Sequence, residues 1–329
     1  MKRVLRRDFL FLTAGAAAVT LTPLPAVKAE SYPARAIRAI VPYPPGSTID
    51  LLARIIAHDL SESLGQAVYV ENIPAGSARV GTALAAKASP DGYTILFVTT
   101  AFVIDPGLNH DLPYDAVKDF SPISLLAISP HVLTINPSVP AKTLNEFIAL
   151  VKANPGKFNR ASPGIASSGD LSGELFRLSN GLDLVRVPFN GSPPAIMSTV
   201  AGHTTMAFTS LAVAAPHIQE GTLRALVVTS DKRSPRFPDV PTMAESGFPD
   251  QSSAFMQAVV APAGTPKTVI EHLNHEIGKI VLRHDVKRQL EQLDSQAVTM
   301  SSEDFAIHIR NEIARWRKVI QDAKVSKGG

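Results

Sequence analysis

Cysteine is absent from the 329-residue sequence. This excludes disulfides, thiol nucleophiles, thiolate metal sites and a lipidated N-terminal cysteine, so the fold must hold by core packing alone. A basic excess is also missing once the N-terminus is set aside. The first 29 residues carry Lys2, Arg3, Arg6, Arg7 and Lys28 against Asp8 alone. Removing these five and one from 32 basic and 29 acidic residues leaves 27 against 28. The remaining chain has a net charge near −1, which removes the main argument for nucleic-acid binding. Past the N-terminus no apolar run is long enough to span a bilayer.

Enzyme signatures are missing as well. The segment Gly76 to Thr82 has P-loop glycine spacing but lacks the lysine after the second glycine. No G-x-G-x-x-G opens a helix. The serine of "GDLSG" (Gly169 to Gly173) stands one position too late for a nucleophile elbow. His272 and His275 share a helix face, but no H-E-x-x-H follows, so no metal or other cofactor is expected. The 45% hydrophobic and 19% charged content describes a globular chain, long enough for about two domains.

The N-terminus reads as a targeting segment of residues 1–29. A basic start leads into an apolar, small-residue stretch from Phe9 to Leu24, with Val27 and Ala29 at the cleavage positions. Arg6-Arg7 followed by Asp8-Phe9-Leu10 has the form of a twin-arginine export signal; an ordinary secretory signal is the alternative. Either places the mature protein in the periplasm, exported and not lipid-anchored.

Strand-like and helix-like runs then alternate, as in an α/β fold. Strands are expected at Ile37–Pro42, Ala67–Glu71, Tyr93–Thr99, Ile123–Ile128, Val132–Ile135, Leu184–Pro188, Thr205–Phe208, Leu223–Val228 and Phe255–Val260. Amphipathic segments include Leu144–Ala153 and Ser192–Ala201. Phe305, Ile309, Ile313, Trp316 and Ile320 mark a long C-terminal helix. "AISPHVLTINP", interrupted at Pro130, and "DQSSAFMQAVVAPAGTP" read as crossings between two lobes. One lobe would comprise residues 30–129 and 252–329, the other residues 130–251.

The turns are the most informative feature. In "VPYPPGSTIDLLARII" a strand breaks at a Pro-Gly turn and restarts as a helix with Leu52, Ile55, Ile56 and Leu60 on one face. Ser47-x-x-Asp50 has capping-box form. Ser167-Ser168-Gly169-Asp170 repeats it before a second helical stripe, Leu171, Leu175 and Leu178. Unpaired N–H groups make a helix start behind a Gly/Ser loop a ready anion site. Either loop alone is explained by capping, worth about 0.5–2 kcal/mol. Two loops of one form, in opposite lobes, point to a ligand clamped between two helix ends. A third such turn runs from Ala75 to Gly81.

From "YPARAIRAIVPYPPGSTIDLLARIIAHDLSESLGQAVYVENIPAGSARVGTALAAKASPDGYTILF" onward, the chain resembles the Bug-type receptors of tripartite tricarboxylate transporters. The likeness continues through "SPGIASSGDLSGELF", "VPFNGSPPAIMSTVAG", "LRALVVTSDKRSPRFPDVPTMAESGFP" and "VAPAGTPKTVIEHLN". It implies an α/β, two-lobed periplasmic-binding-protein fold of type II (Venus-flytrap), with a ligand cleft between the lobes. It also implies a non-enzymatic receptor for a small organic acid, with integral-membrane permease subunits as partners. Matching the family's loops residue by residue gives candidate ligand-binding positions at Tyr43, Gly46, Ser47, Thr48 and Asp50. Thr100, Phe102, Ser162, Ser167, Ser168, Asp170, Phe189 and Thr209 follow in the same way.

The sequence departs from the family pattern where Ser47 replaces a glycine and where histidine is lacking near Asp170. Phe189-Asn190 and Thr209-Ser210 also differ from the usual pairs. Arg79 stands where asparagine is usual; a cation at a helix start either has a compensating role on a ligand's distal carboxylate or is an exposed arginine reaching solvent. Tyr43 and Phe102 either stack on the ligand or are ordinary core aromatics. The rival readings are an exported hydrolase, or a ligand-sensing module feeding a signalling partner through the same cleft.

Overall fold

The computed structural model describes residues 32–325, apart from 75–77, 110 and 252. The targeting segment and part of the Ala75–Gly81 turn lie outside the described residues. The chain runs β1 (Ile37–Val41), α1 (Thr48–Leu64), β2 (Val68–Asn72), α2 (Arg79–Ala86), β3 (Thr94–Thr99) and α3 (Ala101–Leu108). The middle follows as β4 (Phe120–Ile135), α4 (Leu144–Lys152), β5 (Phe158–Ser162), α5 (Ser168–Ser179), β6 (Leu184–Pro188) and α6 (Ser192–Val200). The remainder is β7 (Met206–Ser210), α7 (Leu211–Gln219), β8 (Arg224–Val228), β9 (Ala254–Pro262), α8 (Lys267–Leu282), α9 (His284–Gln292), β10 (Gln296–Ala297) and α10 (Ser302–Asp322).

The strands follow the order β2-β1-β3-β9-β4-β7-β5-β6, with β8 and β10 also paired to β4. β1, β2 and β3 are parallel neighbours joined through helices, as parallel pairing requires. β5 pairs in parallel with β6 and with β7, while β9 and β4 run antiparallel to their partners. β1 (IRAIV) is apolar apart from Arg38 and buried on both faces, the pattern of a strand covered by helices.

β4 changes partners midway. From Phe120 to Pro130 it pairs with β9, and from His131 to Ile135 with β7. Pro130 therefore stands at the handover, where a missing N–H costs the ladder least. The next donor, the His131 N–H, goes to the Thr229 hydroxyl at 2.9 Å. This corrects the expectation of two strands at Ile123–Ile128 and Val132–Ile135: the proline interrupts pairing, not the strand. β5 was not expected at all. Its sequence, FNRAS, buries Arg160 instead of alternating apolar and polar residues.

Helix starts and stops follow local chemistry. α1 ends at Gly65 in the left-handed region (φ 65°). α4 and α10 are capped by Thr143 and Ser301, which accept from the N–H groups of Glu146 and Asp304. α10 lays Phe305, Ile309, Trp316 and Ile320 into the core that it shares with β3, α3 and β9. Its approach to α3 depends on Gly107, where a Cβ would lie 2.8 Å from Ile320 Cδ1 and 3.2 Å from Arg317 Cα. Among the described residues no helix is long and apolar enough to cross a membrane.

Candidate functional site

The two Ser-x-x-Asp loops fold alike. Ser47 N–H donates to the Pro44 carbonyl at 3.2 Å, and Ser167 N–H to the Gly164 carbonyl at 3.0 Å. The residue before each helix cap is left-handed, Gly46 at φ 80° and Ala166 at φ 63°. Its N–H donates to the aspartate four residues on: Gly46 to Asp50 at 2.8 Å, Ala166 to Asp170 at 2.9 Å. This differs from a capping box, in which the acid would accept from the cap residue itself. Both aspartates are structural and buried. Gly46 is required for its φ and not for a close approach, since nothing lies within 4 Å of its Cβ position. A β-branched residue there would strain the turn itself.

The two aspartates differ in their cations. Asp50 accepts from Arg54 Nε at 3.0 Å and Asn72 Nδ2 at 2.7 Å, and Arg54 is half exposed. Burial alone would raise the Asp50 carboxyl, but these hydrogen bonds and the Arg54 charge offset it and leave the pKa lowered. Asp170 is fully buried against Arg160, itself 1% exposed, at 2.9 Å, and also accepts from Arg186 at 3.3 Å. Arg160 reaches Glu174 as well. Gly173 makes room for it, because a Cβ there would lie 3.0 Å from Arg160 Nη1.

In front of these loops lie two adjoining cavities. The first, about 370 Å³, is lined by Tyr43, Ser47, Thr48, Ile49, Thr99, Thr100, Ala101, Ile104, Asp105, Ala166, Ser167, Ser168 and Phe255. The second, about 320 Å³, shares Thr48, Ser167, Ser168 and Phe255 with it. Its other walls come from Ser129, His131, Pro163, Gly169, Gly191, Ser192, Thr209, Ser210, Ala212, Val213 and Leu293. The cap residues of α1, α3, α5, α6 and α7 (Ser47, Thr100, Ser167, Gly191 and Ser210) are all among these lining residues. Five helix N-termini, each worth about half a positive charge, thus converge on one space that, among the described residues, no lysine or arginine lines.

Among the described residues, Ser47 Oγ and Thr209 Oγ1 there find no hydrogen-bond partner, and neither does His131 Nδ1. His131 Nε2 meets Ser168 Oγ at 3.1 Å, and burial pushes the imidazole pKa down to about 4, so the ring is neutral near pH 7. Tyr43 shares a 2.6 Å hydrogen bond with Thr99 Oγ1. Burial, reinforced by the Asp105 charge and opposed by the Thr99 bond, pushes its phenol up to about 12. The space is therefore lined largely by neutral hydroxyls, a neutral histidine and helix starts, an arrangement suited to an anion, with Asp105 the one acidic residue in its wall among the described residues.

Of the residues expected at the site, Tyr43, Ser47, Thr48, Thr100, Ser167, Ser168 and Thr209 line the cavities. Thr100 is already engaged by β9, its hydroxyl accepting from Met256 N–H at 2.7 Å. Phe102 is corrected to the core: it stacks on Tyr114 with centroids 6.3 Å apart and meets Phe120 edge-on at 5.2 Å. Phe189 packs against Ala161, Ala195 and Ala207. Ser162 is buried at the end of β5, behind Pro163, and its hydroxyl has no partner. Gly46, Asp50 and Asp170 shape the loops without lining the cavities. Arg79 does not line them either; its Nε stands 4.0 Å from Asp105, which does. Asp105, His131 and Phe255 were not anticipated.

A third cavity, about 450 Å³, does include cations, Arg236 and Lys287. Arg236 is paired with Asp294 at 2.9 Å, and Glu291 adds a second acid to the wall. It has less capacity for an anion than the helix-lined space.

The sequence profile of the tripartite tricarboxylate transporter family receptors matches residues 52–325. The Bordetella pertussis protein BugT is 35% identical over 90% of this chain and 91% of its own. A Rhodopseudomonas palustris protein solved with adipate is 30% identical, with a TM-score of 0.73 over 90% of this chain and 99% of that one. Malate-bound MatC, from the same organism, is 29% identical, with a TM-score of 0.68 over 88% and 100%. The fold is therefore that of the periplasmic binding proteins, and the chain belongs to the Bug-type receptor family of tripartite tricarboxylate transporters, as a solute-binding receptor and not an enzyme.

Proposed function

We propose that the protein works in the periplasm, capturing a small organic acid and delivering it to the permease subunits of a tripartite tricarboxylate-type transporter. The observation that carries this reading is the convergence of five helix N-termini on a space that no lysine or arginine lines among the described residues. The carboxylate rests where the two cavities meet, against the first turns of α1 and α5 at Thr48 and Ser168. The adipate- and malate-bound relatives support an acid as the ligand. Residues 30–129 with 252–329 form one lobe and residues 130–251 the other. The handover at Pro130–His131 and the return at Ser253–Ala254 serve as the hinge. Binding favours the closed arrangement by as much as the ligand's differential affinity for it, and that arrangement is what the permease recognises.

Thermal-shift screening of the purified protein against a carboxylate library tests this. An acid at about 100 times its dissociation constant should add roughly 2.7 kcal/mol of stability. It should also be recovered intact after long incubation. Absence of any carboxylate effect, or turnover of the bound acid, would contradict the proposal.

Thr209→Val probes the site from the protein side. Its hydroxyl is fully buried without a partner, and such a group costs about 1–3 kcal/mol. The near-isosteric valine should stabilise the ligand-free protein by about 1 kcal/mol. It should also weaken the acid about tenfold, the equivalent of one lost hydrogen bond. Urea denaturation and calorimetry on one preparation measure both; a stability loss with unchanged affinity would make Thr209 structural.

A further inference from the structure

A serine and a histidine stand in contact inside a receptor that has no use for a nucleophile. His131 Nε2 lies 3.1 Å from Ser168 Oγ, and both residues line the second cavity. His131 is 3% exposed. Ser168 is half-buried at the start of α5, where the two cavities meet. At this distance either group could donate. A serine nucleophile would donate to Nε2, and its histidine would carry the proton on Nδ1, held by a third group. That third group is missing: Nδ1 is buried and has no hydrogen-bond partner among the described residues. The neutral ring carries one N–H. On Nδ1 it would be a buried donor without an acceptor, which folded proteins show more rarely than an acceptor without a donor. On Nε2 it meets Ser168 Oγ.

We propose, resting on the carboxylate-receptor reading, that His131 is a positioning residue: its Nε2–H donates to Ser168 Oγ and so turns the Ser168 O–H toward the ligand carboxylate. Ser168 has a single O–H, and a carboxylate only accepts. Giving that proton to the acid leaves Oγ as an acceptor, and His131 occupies it. Each bond polarises the next, which makes the held serine a stronger donor than a free hydroxyl. The direction is the reverse of a nucleophile–base pair. His131 acts through Ser168 and sets which way its proton points.

Two measurements test the proposal, with adipate, malate, hexanoate and benzoate as probes and the tightest binder carried forward. Nitrogen–proton NMR of the histidine-labelled parent protein with that acid bound reads the tautomer, and His131→Gln assigns the signal. The proton is expected on Nε2; a proton on Nδ1 overturns the proposal. Calorimetry then compares variants whose fold is confirmed by circular dichroism. His131→Met keeps the reach of the ring without a donor and should weaken the acid about tenfold. His131→Gln places an amide N–H near the Nε2 position and should stay within about threefold of the parent. In a Ser168→Ala background, His131→Met should weaken binding by less than about twofold, because the two residues act as one unit. Unchanged affinity in His131→Met, the same loss with and without Ser168, or a Gln variant as weak as the Met variant overturns the proposal. Each of these leaves the carboxylate reading standing. If His131→Met does not fold, the tautomer decides alone. If none of the four acids binds, the same measurements use the tightest binder of the carboxylate library. Failure of the whole library overturns the carboxylate reading, and the proposal with it.

Discussion

Asp170→Ala should destabilise the protein by about 3–5 kcal/mol, the range for removing one partner of a buried ion pair. The variant leaves Arg160 at 1% exposure with Glu174 as its remaining acid partner, and it removes the acceptor of the Ala166 N–H. Asp170→Asn keeps an acceptor for that N–H but loses the charge, so an intermediate loss is expected. Asp50→Ala provides the comparison. The loop geometry is the same, but Arg54 is half exposed and returns to water when its partner is removed, so the loss should be smaller. Urea denaturation of the three variants gives the order directly. An Asp170→Ala loss below about 1 kcal/mol would mean that the buried network does not anchor the α5 loop.

Acidification should produce the second large effect, through His131. Its pKa is about 4 in the folded protein and near 6.5 in an unfolded chain. Between these values the unfolded state binds more protons, so stability rises with pH across that window. His131 exacts no penalty above about pH 6.5. As the pH falls through 4, about 3.5 kcal/mol of stability should be lost, two and a half units at about 1.4 kcal/mol each. His131→Gln removes the titrating group and should flatten this part of the stability profile. An unchanged slope in the variant would assign the acid sensitivity to other groups.

The loop pair was legible in the sequence because its hydrogen bonds are local: each aspartate accepts from the N–H four residues before it, although only Ser167 caps its helix through its side chain. Long-range contacts were not legible. Phe102 was assigned to the ligand because nothing nearby in sequence shows that Tyr114 and Phe120 fold against it. Arg79 was assigned a ligand carboxylate because its partner, Asp105, follows 26 residues later on another helix. His131 sits in a mainly apolar strand, where a lone histidine carries no spacing signal. Pro130 next to it was the available clue, since it stands where β4 passes from β9 to β7. β5 escaped because Arg160, a residue that normally argues against burial, is held inside by Asp170 and Glu174. The α/β alternation survived these errors because it rests on many independent strand and helix patterns.

Whether helix starts and not cationic side chains hold the acid is read most plainly from a crystal structure of the protein with its tightest-binding acid. The expected result is a carboxylate within about 3 Å of N–H groups in the first turns of α1 and α5, beside Thr48 and Ser168, with no arginine or lysine in contact. A carboxylate bound instead by Arg236 and Lys287 in the third cavity, or one held in the cleft by a displaced Arg79, would contradict it.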